Sequence, residues 1–338
     1  MPRKGGWTRV GSSGRFRYVD ARGNAIKDEE KLERIRALVI PPAWKDVWIS
    51  PNASAKLQAT GVDAAGRRQY LYHANFRAQQ EQAKFDRLIR FAERLPDLRA
   101  ATAQHMANET LDRLKVSAIA TRLINAGWFR VGSERYAKES RTYGVTTLRK
   151  NHVHVRGKRI SFDFVAKHRT VVRTTLVDEE LAEAVKELIA LPGGRRLFRY
   201  VWEDGTCSLT GARLNDYVRE YLGAEFTAKD FRTWGGTLIA AIAFAEHGPP
   251  ATETEGKRVI PKVMRRVGEE LGNTPAVARS SYVSPAVIDQ YLDGRTIEDF
   301  RPRHLRVVRA RDAALDQEEQ ALLSLLRSWK IRQSRAAA

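Results

Sequence analysis

The spacing of apolar residues changes at residues 78, 145 and 178, and that change limits the folds open to this chain more than any other feature. Up to residue 77 apolar positions come in short alternating runs broken by glycine and proline, the pattern of half-buried strands. FRYVDARGNAI predicts two short extended pieces joined at Arg22-Gly23-Asn24, and VWIS, KLQATGVD and RRQYLYH predict further strands. A helix over 28–40 interrupts them, with its acids in the first turn as the helix dipole favours and Pro41-Pro42 ending it. From Ala78 the spacing becomes three and four residues, predicting helices over 78–94, 96–107 and 110–126. Alternation returns between Val145 and Val177, where HVHV, RISFDFV and TVVRTTLV predict three strands turning at Arg156-Gly157-Lys158 and Ala166-Lys167-His168. Helical spacing resumes at 178–190, 212–222, 230–247, 257–271, 284–292 and 312–330. The expected class is α+β: a loose stretch 1–14, a small sheet-rich domain 15–77, a larger mainly helical domain 78–330 holding a three-stranded hairpin system, and a frayed tail 331–338.

Charge narrows the partner. The chain has 338 residues, of which 59 are Lys or Arg and 40 Asp or Glu, for a formal net charge of +19. The excess recurs from Arg3 to Arg335, interleaved with Trp and Tyr in segments that read as folded. A folded basic surface is the electrostatic footprint of a polyanion, which favours nucleic acid over a membrane surface. No apolar run approaches a membrane span, and the opening MPRKGGWTRV lacks the apolar stretch of a secretory signal. The single cysteine, Cys207, excludes an internal disulfide framework and suits a reducing cytoplasm; with no motif around it, it reads as a small half-buried side chain.

The common catalytic signatures are missing. There is no GxxxxGK[ST] loop for nucleoside triphosphates, no HExxH, no paired CxxC and no DxD-like acidic cluster. His152 and His154, two apart on a predicted strand, share a face but have no third ligand nearby, and they read as solvated or DNA-facing. A chain like this would break a phosphodiester without metal. That chemistry needs fixed cations for the charge on the phosphoryl oxygens, a nucleophile, and an acid for the leaving 5′-oxygen. Four places offer such groups: Arg130 in GWFRVG, Lys167 at the second hairpin tip, Lys229 and Arg232 in KDFRTWGG, and Asn273 and Tyr282 in LGNTPAVARSSYVS. Each alone has an ordinary reading, as an ion-pair arginine, a solvated lysine, a turn asparagine or a half-buried aromatic.

Taken in order, these residues resemble a known family. Arg, hairpin Lys, K-x-x-R, then G-[HN]-T-P followed by Tyr is similar to the poxvirus-like type IB DNA topoisomerases, including their bacterial members. FRYVDARGNAI, IPPAWKDVWISP, GRRQYLYH, FRVGSERYAKES, TYGVTTLR, KDFRTWGG and GNTPAVARSSYVSP carry the resemblance over roughly residues 15 to 295.

The resemblance implies that Tyr282 forms a 3′-phosphotyrosine and frees a 5′-hydroxyl, so that supercoils relax by rotation before the nick is resealed. It implies that Arg130 and Arg232 hold the nonbridging oxygens, Lys167 protonates the leaving oxygen, and Lys229 assists at the phosphate or in the proton path. Asn273 stands where the family often has histidine; it can donate a hydrogen bond but brings no cationic charge. Gln69, Tyr70, Tyr72, Tyr136 and Thr210 match DNA contacts. Strand alternation puts Tyr70 and Tyr72 on one face and Gln69 on the other, and Thr210 can cap the helix that follows it. The expected partner is double-stranded DNA, gripped by a monomer closing as a C-shaped clamp, with no metal, nucleotide or other cofactor, in the cytoplasm at the nucleoid. Two alternatives remain. A tyrosine site-specific recombinase shares the catalytic fold, but usually has histidine where Lys229 stands and a helical front domain. A non-catalytic basic DNA-binding protein would have no use for the whole set.

Overall fold

The computed structural model describes residues 5–12, 15–301 and 314–336, and the chain divides into two compact units, Met1–Lys84 and Phe85–Ala338. The first carries a five-stranded antiparallel sheet, β1 (Trp7–Val10), β2 (Arg17–Val19), β3 (Lys45–Ile49), β4 (Leu57–Val62) and β5 (Arg68–Tyr72), in the order β2-β1-β3-β4-β5. Trp7, Val47, Ile49 and Ala59 form its core with Ile35 from helix α1 (Glu29–Ala37). Asp28 caps α1 by accepting from the Lys31 N–H. The helix stops short of the expected residue 40, because the chain turns left-handed at Val39 (φ 47°) before Pro41.

Part of the stretch expected to be loose is an interior strand. β1 pairs with both β2 and β3 and buries Trp7. Arg9 ties it to the proline turn, donating to the carbonyls of Pro41 at 3.1 Å and Trp44 at 2.5 Å. The flanking Gly5, Gly6, Gly11 and Ser12 hid the alternation of WTRV. Residues 1–4 and 13–14 lie outside the described residues.

Helix α2 (Ala74–Met106) runs unbroken through Pro96, where a boundary was expected. An interior proline costs about 3 kcal/mol. Leu88, Phe91, Ala92, Leu95 and Leu98 are all buried here, and burial of each large side chain contributes about 1.5–3 kcal/mol. The register of the buried face therefore outweighs the missing hydrogen bond. Helix α3 (Arg113–Gly127) is buried along most of its length, and α4 (Glu134–Glu139) follows it. Strands β6 (Val153–Arg156), β7 (Arg159–Val165) and β8 (Val171–Val177) then form the expected antiparallel three-stranded sheet, order β6-β7-β8.

Helices α5 (Glu179–Ala190), α6 (Gly211–Leu222), α7 (Asp230–His247), α8 (Glu253–Leu271), α9 (Pro275–Ser281), α10 (Pro285–Leu292) and α11 (Gln317–Ala336) complete the unit, with a hairpin of β9 (Arg199–Trp202) and β10 (Gly205–Ser208) between α5 and α6. The β9–β10 hairpin and the short helices α4 and α9 were not expected, since each has too few residues to display a period. Helix α7 is apolar on nearly every side and runs through the core, as an all-round hydrophobic helix must. Residues 331–336, expected to fray, continue α11. Arg332 anchors them, pairing with Asp293 at 2.9 Å and donating to Gln290 at 3.2 Å. Residues 312–313, at the start of the expected last helix, and 337–338 lie outside the described residues. His152 is not on the strand. It closes a 3-10 turn before β6, where its Nδ1 accepts the Arg149 N–H at 3.2 Å and its ring packs on Tyr143. Among the described residues no helix is long and apolar enough to cross a membrane.

One buried carboxylate fastens α11 to this core. Glu319 is 4% exposed and accepts from Arg99 on α2 at 2.7 and 2.8 Å and from Trp234 Nε1 on α7 at 3.1 Å. Burial pushes its pKa up, but the hydrogen bonds and charge of Arg99, with help from Trp234, outweigh that and hold it below the ordinary value. The pair's contribution is therefore present above the unfolded carboxylate pKa of about 4.3 and is lost as pH falls through the lower folded value. Glu319→Ala should lower the unfolding free energy by about 3 kcal/mol at neutral pH, because it strands Arg99. Urea melts across pH should also show a shallower acid limb for the variant; equal limbs would refute this role.

Candidate active site

Arg130 is positioned by an abrupt helix stop and a close backbone crossing. Helix α3 ends at Trp128, left-handed at φ 48°, whose N–H bonds the Ile124 carbonyl. The next residues lie against TYGVTT, with Val145 N donating to Arg130 O at 2.9 Å and Thr146 N to Val131 O at 2.8 Å. A Cβ on Gly144 would sit 2.5 Å from both Arg130 O and Gly132 N, so only glycine permits this approach. The Arg130 side chain then donates through Nη2 to Gly272 O at 2.9 Å and to Asn273 Oδ1 at 2.7 Å.

Lys229 and Arg232 stand at the start of α7, three residues apart and so on adjoining turns of one face. Lys229 is exposed, whereas Arg232 is 5% exposed. Arg232 donates through Nη1 to Trp128 O at 2.5 Å and through Nη2 to Leu271 O at 2.7 Å. It thus joins the segment bearing Arg130 to the one bearing Asn273.

GNTP is a helix stop followed directly by a helix start. Gly272 ends α8 in the left-handed region at φ 60°, Asn273 N bonds Gly268 O at 2.7 Å, and Thr274 caps α9 ahead of Pro275. Asn273 is held between the two helices. Its Oδ1 faces Arg130, which can only donate, and its Nδ2 lies 3.3 Å from Leu271 O. In this arrangement the amide orients Arg130, a task that a protonated imidazole cannot perform.

Tyr282 is the C-cap of α9, half-buried, with the Arg232 guanidinium 5.0 Å from its ring centre. Burial, the largest single influence, pushes the phenol pKa up, but the charge and contact of Arg232, with Arg130 and Lys229 behind it, outweigh burial and bring it below the usual value. Burial and the neighbouring Arg232 push Arg130 down to about 10, which still leaves it charged at neutral pH.

One cleft of about 290 Å³ is lined by Arg130, Tyr136, Lys167, Lys229, Arg232 and Tyr282, with Tyr143 and Ser133 among its other walls. Lys167 enters it from the tip between β7 and β8, where His168 (φ 63°) and Arg169 (φ 59°) are both left-handed. Arg199, 6% exposed, is held like Arg232 by main-chain carbonyls, but three other arginines are neutralised by carboxylates. Arg99 pairs with Glu319, Arg122 with Asp178 and Arg196 with Glu134. Among the described residues Arg130 and Arg232 are in no ion pair and are held by carbonyl and amide oxygens, so their charge stays available to an anion.

A family model described as the catalytic core of eukaryotic DNA topoisomerase I matches residues 73–299, and one described as the N-terminal domain of bacterial DNA topoisomerase IB matches residues 15–63. The chain is 31% identical over 288 residues to DNA topoisomerase 1B of Acanthamoeba polyphaga mimivirus, covering 83% of this chain and 85% of the viral protein. It is 21% identical over 277 residues to DNA topoisomerase 1B of Vaccinia virus (strain Copenhagen), covering 80% of this chain and 85% of that one.

The chain belongs to the type IB DNA topoisomerases.

Five of the six expected catalytic residues of this topoisomerase line one cleft, and the sixth, Asn273, touches it through Arg130. Tyr136, on α4, lines it as well, while Thr210 caps α6, accepting from Arg213 N at 3.3 Å, and is not among the lining residues. In the N-terminal unit Tyr70 and Tyr72 stack with ring centres 6.3 Å apart, exposed on one face of β5. Gln69 donates to Asp63 Oδ2 at 2.8 Å and braces the turn between β4 and β5. Sequence reasoning missed Tyr143 as a wall of the cleft and Gly144 as the seat of Arg130, although both lie in the TYGVTT run it had noticed.

The electrostatic balance at Tyr282 can be measured directly. Ultraviolet titration of this topoisomerase, with the Tyr282→Phe signal subtracted, should place the Tyr282 ionisation below the ordinary value of about 10. Arg232→Gln should raise it, with near-ultraviolet dichroism reporting that the fold is kept; an unmoved ionisation would remove Arg232 as the cause.

Proposed function

We propose that this topoisomerase relaxes supercoiled duplex DNA through a covalent link to Tyr282, using cationic side chains in place of a metal and no nucleotide. The observation that carries the proposal is the single cleft lined by Arg130, Lys167, Lys229, Arg232 and Tyr282. The Tyr282 oxygen attacks phosphorus as its proton passes to solvent water; the bond from phosphorus to the 5′-oxygen breaks, and Lys167 protonates the departing oxygen. The product is a 3′-phosphotyrosine and a free 5′-hydroxyl. Arg130 and Arg232 meet the charge on the nonbridging oxygens, supported by their lack of carboxylate partners and by Arg232 Nε, which is buried without a hydrogen-bond partner among the described residues. Lys229 assists at the phosphate or in the proton path. Asn273 keeps Arg130 aimed. The ester retains the bond energy, so attack by the 5′-hydroxyl reseals the strand after the free end has swivelled under torsion.

The rest of the duplex contacts belong to the same proposal. Tyr70 and Tyr72, exposed on β5, meet DNA from the N-terminal unit, and Tyr136 and the capped start of α6 at Thr210 meet backbone phosphates. By likeness to the family, the protein acts as a monomer clamped on DNA at the nucleoid.

Relaxation should proceed in chelator without added ATP. Tyr282→Phe should abolish relaxation and the denaturation-trapped protein–DNA adduct while sparing noncovalent binding; an adduct formed by the Phe variant would falsify the assignment.

Lys167→Ala should slow cleavage by about 10²–10⁴-fold, the scale of general acid catalysis. A substrate whose bridging 5′-oxygen is sulfur leaves without a proton, and on it the variant should return to near the wild-type rate. Arg130→Ala and Arg232→Ala should stay slow on both substrates. Equal rescue of all three, or none for Lys167→Ala, would mean that the roles are wrongly distributed.

A further inference from the structure

Tyr282 lies at an elbow between two short helices, seven residues of α9 and eight of α10. Its own N–H is spent locally, on Ala278 O at 3.0 Å. Helices this short hold no position by themselves, so the nucleophile's place relative to Arg232 must come from elsewhere. Helix α8 packs on α9, and Tyr282 itself is met by α7, the helix that carries Arg232.

Three consecutive features of α7 meet this elbow. The Arg232 guanidinium lies over the Tyr282 ring. One turn on, a Cβ at Gly236 would lie 2.9 Å from both the Cβ and the carbonyl oxygen of Tyr282, and 3.0 Å from Leu271 Cδ1. Next to it Thr237, fully buried at 0% exposure, has its hydroxyl 3.1 Å from the Tyr282 carbonyl and accepts the Ser284 N–H at 3.1 Å. The hydroxyl also lies 2.8 Å from Thr233 O, the usual back-bond of a threonine inside a helix. With one hydrogen to give it shares that hydrogen between two carbonyls, while a lone pair receives Ser284. Back-bonding alone would explain the first contact, but not the two that reach across to the elbow.

We propose that Gly236 and Thr237 are positioning residues for the nucleophile: the missing side chain lets the Tyr282 backbone seat on α7, and the hydroxyl locks it there. A single helix then sets the spacing between the phenolic oxygen and the guanidinium that meets the phosphate. This rests on the assignment of Tyr282 as nucleophile. A misplacement of about 1 Å costs about 10²-fold in rate, so the seat affects turnover far more than DNA affinity.

The test uses the full chain in single-turnover cleavage of a duplex, with noncovalent affinity measured in the Tyr282→Phe background. Thr237→Val should cleave about 10–100-fold more slowly, bind DNA within about twofold of the parent, and shift its cleavage pH profile upward as the phenol loses contact with Arg232. Thr237→Ser should recover to within a few-fold, and Gly236→Ala should repeat the Val defect. Thr237→Ala serves if the buried methyl of Val disturbs the fold. A wild-type rate and pH profile in Thr237→Val would overturn the proposal. So would a loss of thermal stability with no change in rate per folded molecule, or unfolding of both the Val and Ala variants, since the hydroxyl would then serve folding alone. The nucleophile assignment fails separately: in that case Tyr282→Phe itself would form the trapped adduct.

Discussion

Arg232 is charged, almost fully buried and without a carboxylate, a combination that in most proteins costs several kcal/mol. It persists because two main-chain carbonyls, Trp128 O and Leu271 O, take the place of its hydration. Those carbonyls belong to segments far apart in sequence, the end of α3 and the end of α8, so one guanidinium draws together α7, the Arg130 segment and the GNTP elbow. Arg130 repeats the device between Gly272 and Asn273. The site's framework and its charge are therefore the same atoms.

Among the described residues neither arginine of the cleft is in an ion pair. A carboxylate beside Arg130 or Arg232 would stabilise the empty protein and compete with an incoming phosphate. Carbonyl oxygens solvate the cation without cancelling it, and low local polarity then strengthens its pull on any anion. Tyr282 feels the same field: burial alone would raise the pKa of the phenol, but the cations that hold the framework reverse the effect. Elsewhere Arg99 is neutralised by Glu319 and Arg122 by Asp178, while the buried Arg199 is held, like Arg232, by carbonyl oxygens.

How much of this could be read beforehand depended on the length of each segment. The three-stranded sheet at 153–177 and helices α5, α6, α7 and α10 lay close to their expected bounds, since each shows its period over enough residues to be distinct. Pro96 misled, because local backbone preference was outweighed by a buried face that only packing supplies. β1 was hidden among glycines and serines, and α9 was too short to show a period, although its start at Thr274-Pro275 follows the ordinary rules of capping. Among the site residues Tyr282, Arg130, Lys167, Lys229 and Arg232 were recognisable as types suited to metal-free phosphoryl chemistry, while the contribution of Tyr143 and Gly144 was not.

The sequence by itself determined the alternation of sheet and helix and favoured a polyanionic partner, because these follow from residue type, period and net charge, which need no coordinates; the class of chemistry came from the order of motifs that resembles the family. It also placed the hairpin turn at Ala166-Lys167-His168 and the end of the helix at 271. Only the tertiary structure decided which cations stay unneutralised, that Asn273 turns its oxygen to Arg130, and that Gly236 and Thr237 on α7 meet the backbone of Tyr282. Those are contacts between residues up to 143 positions apart, and their worth depends on burial and distance, quantities that exist only once the chain has closed on itself.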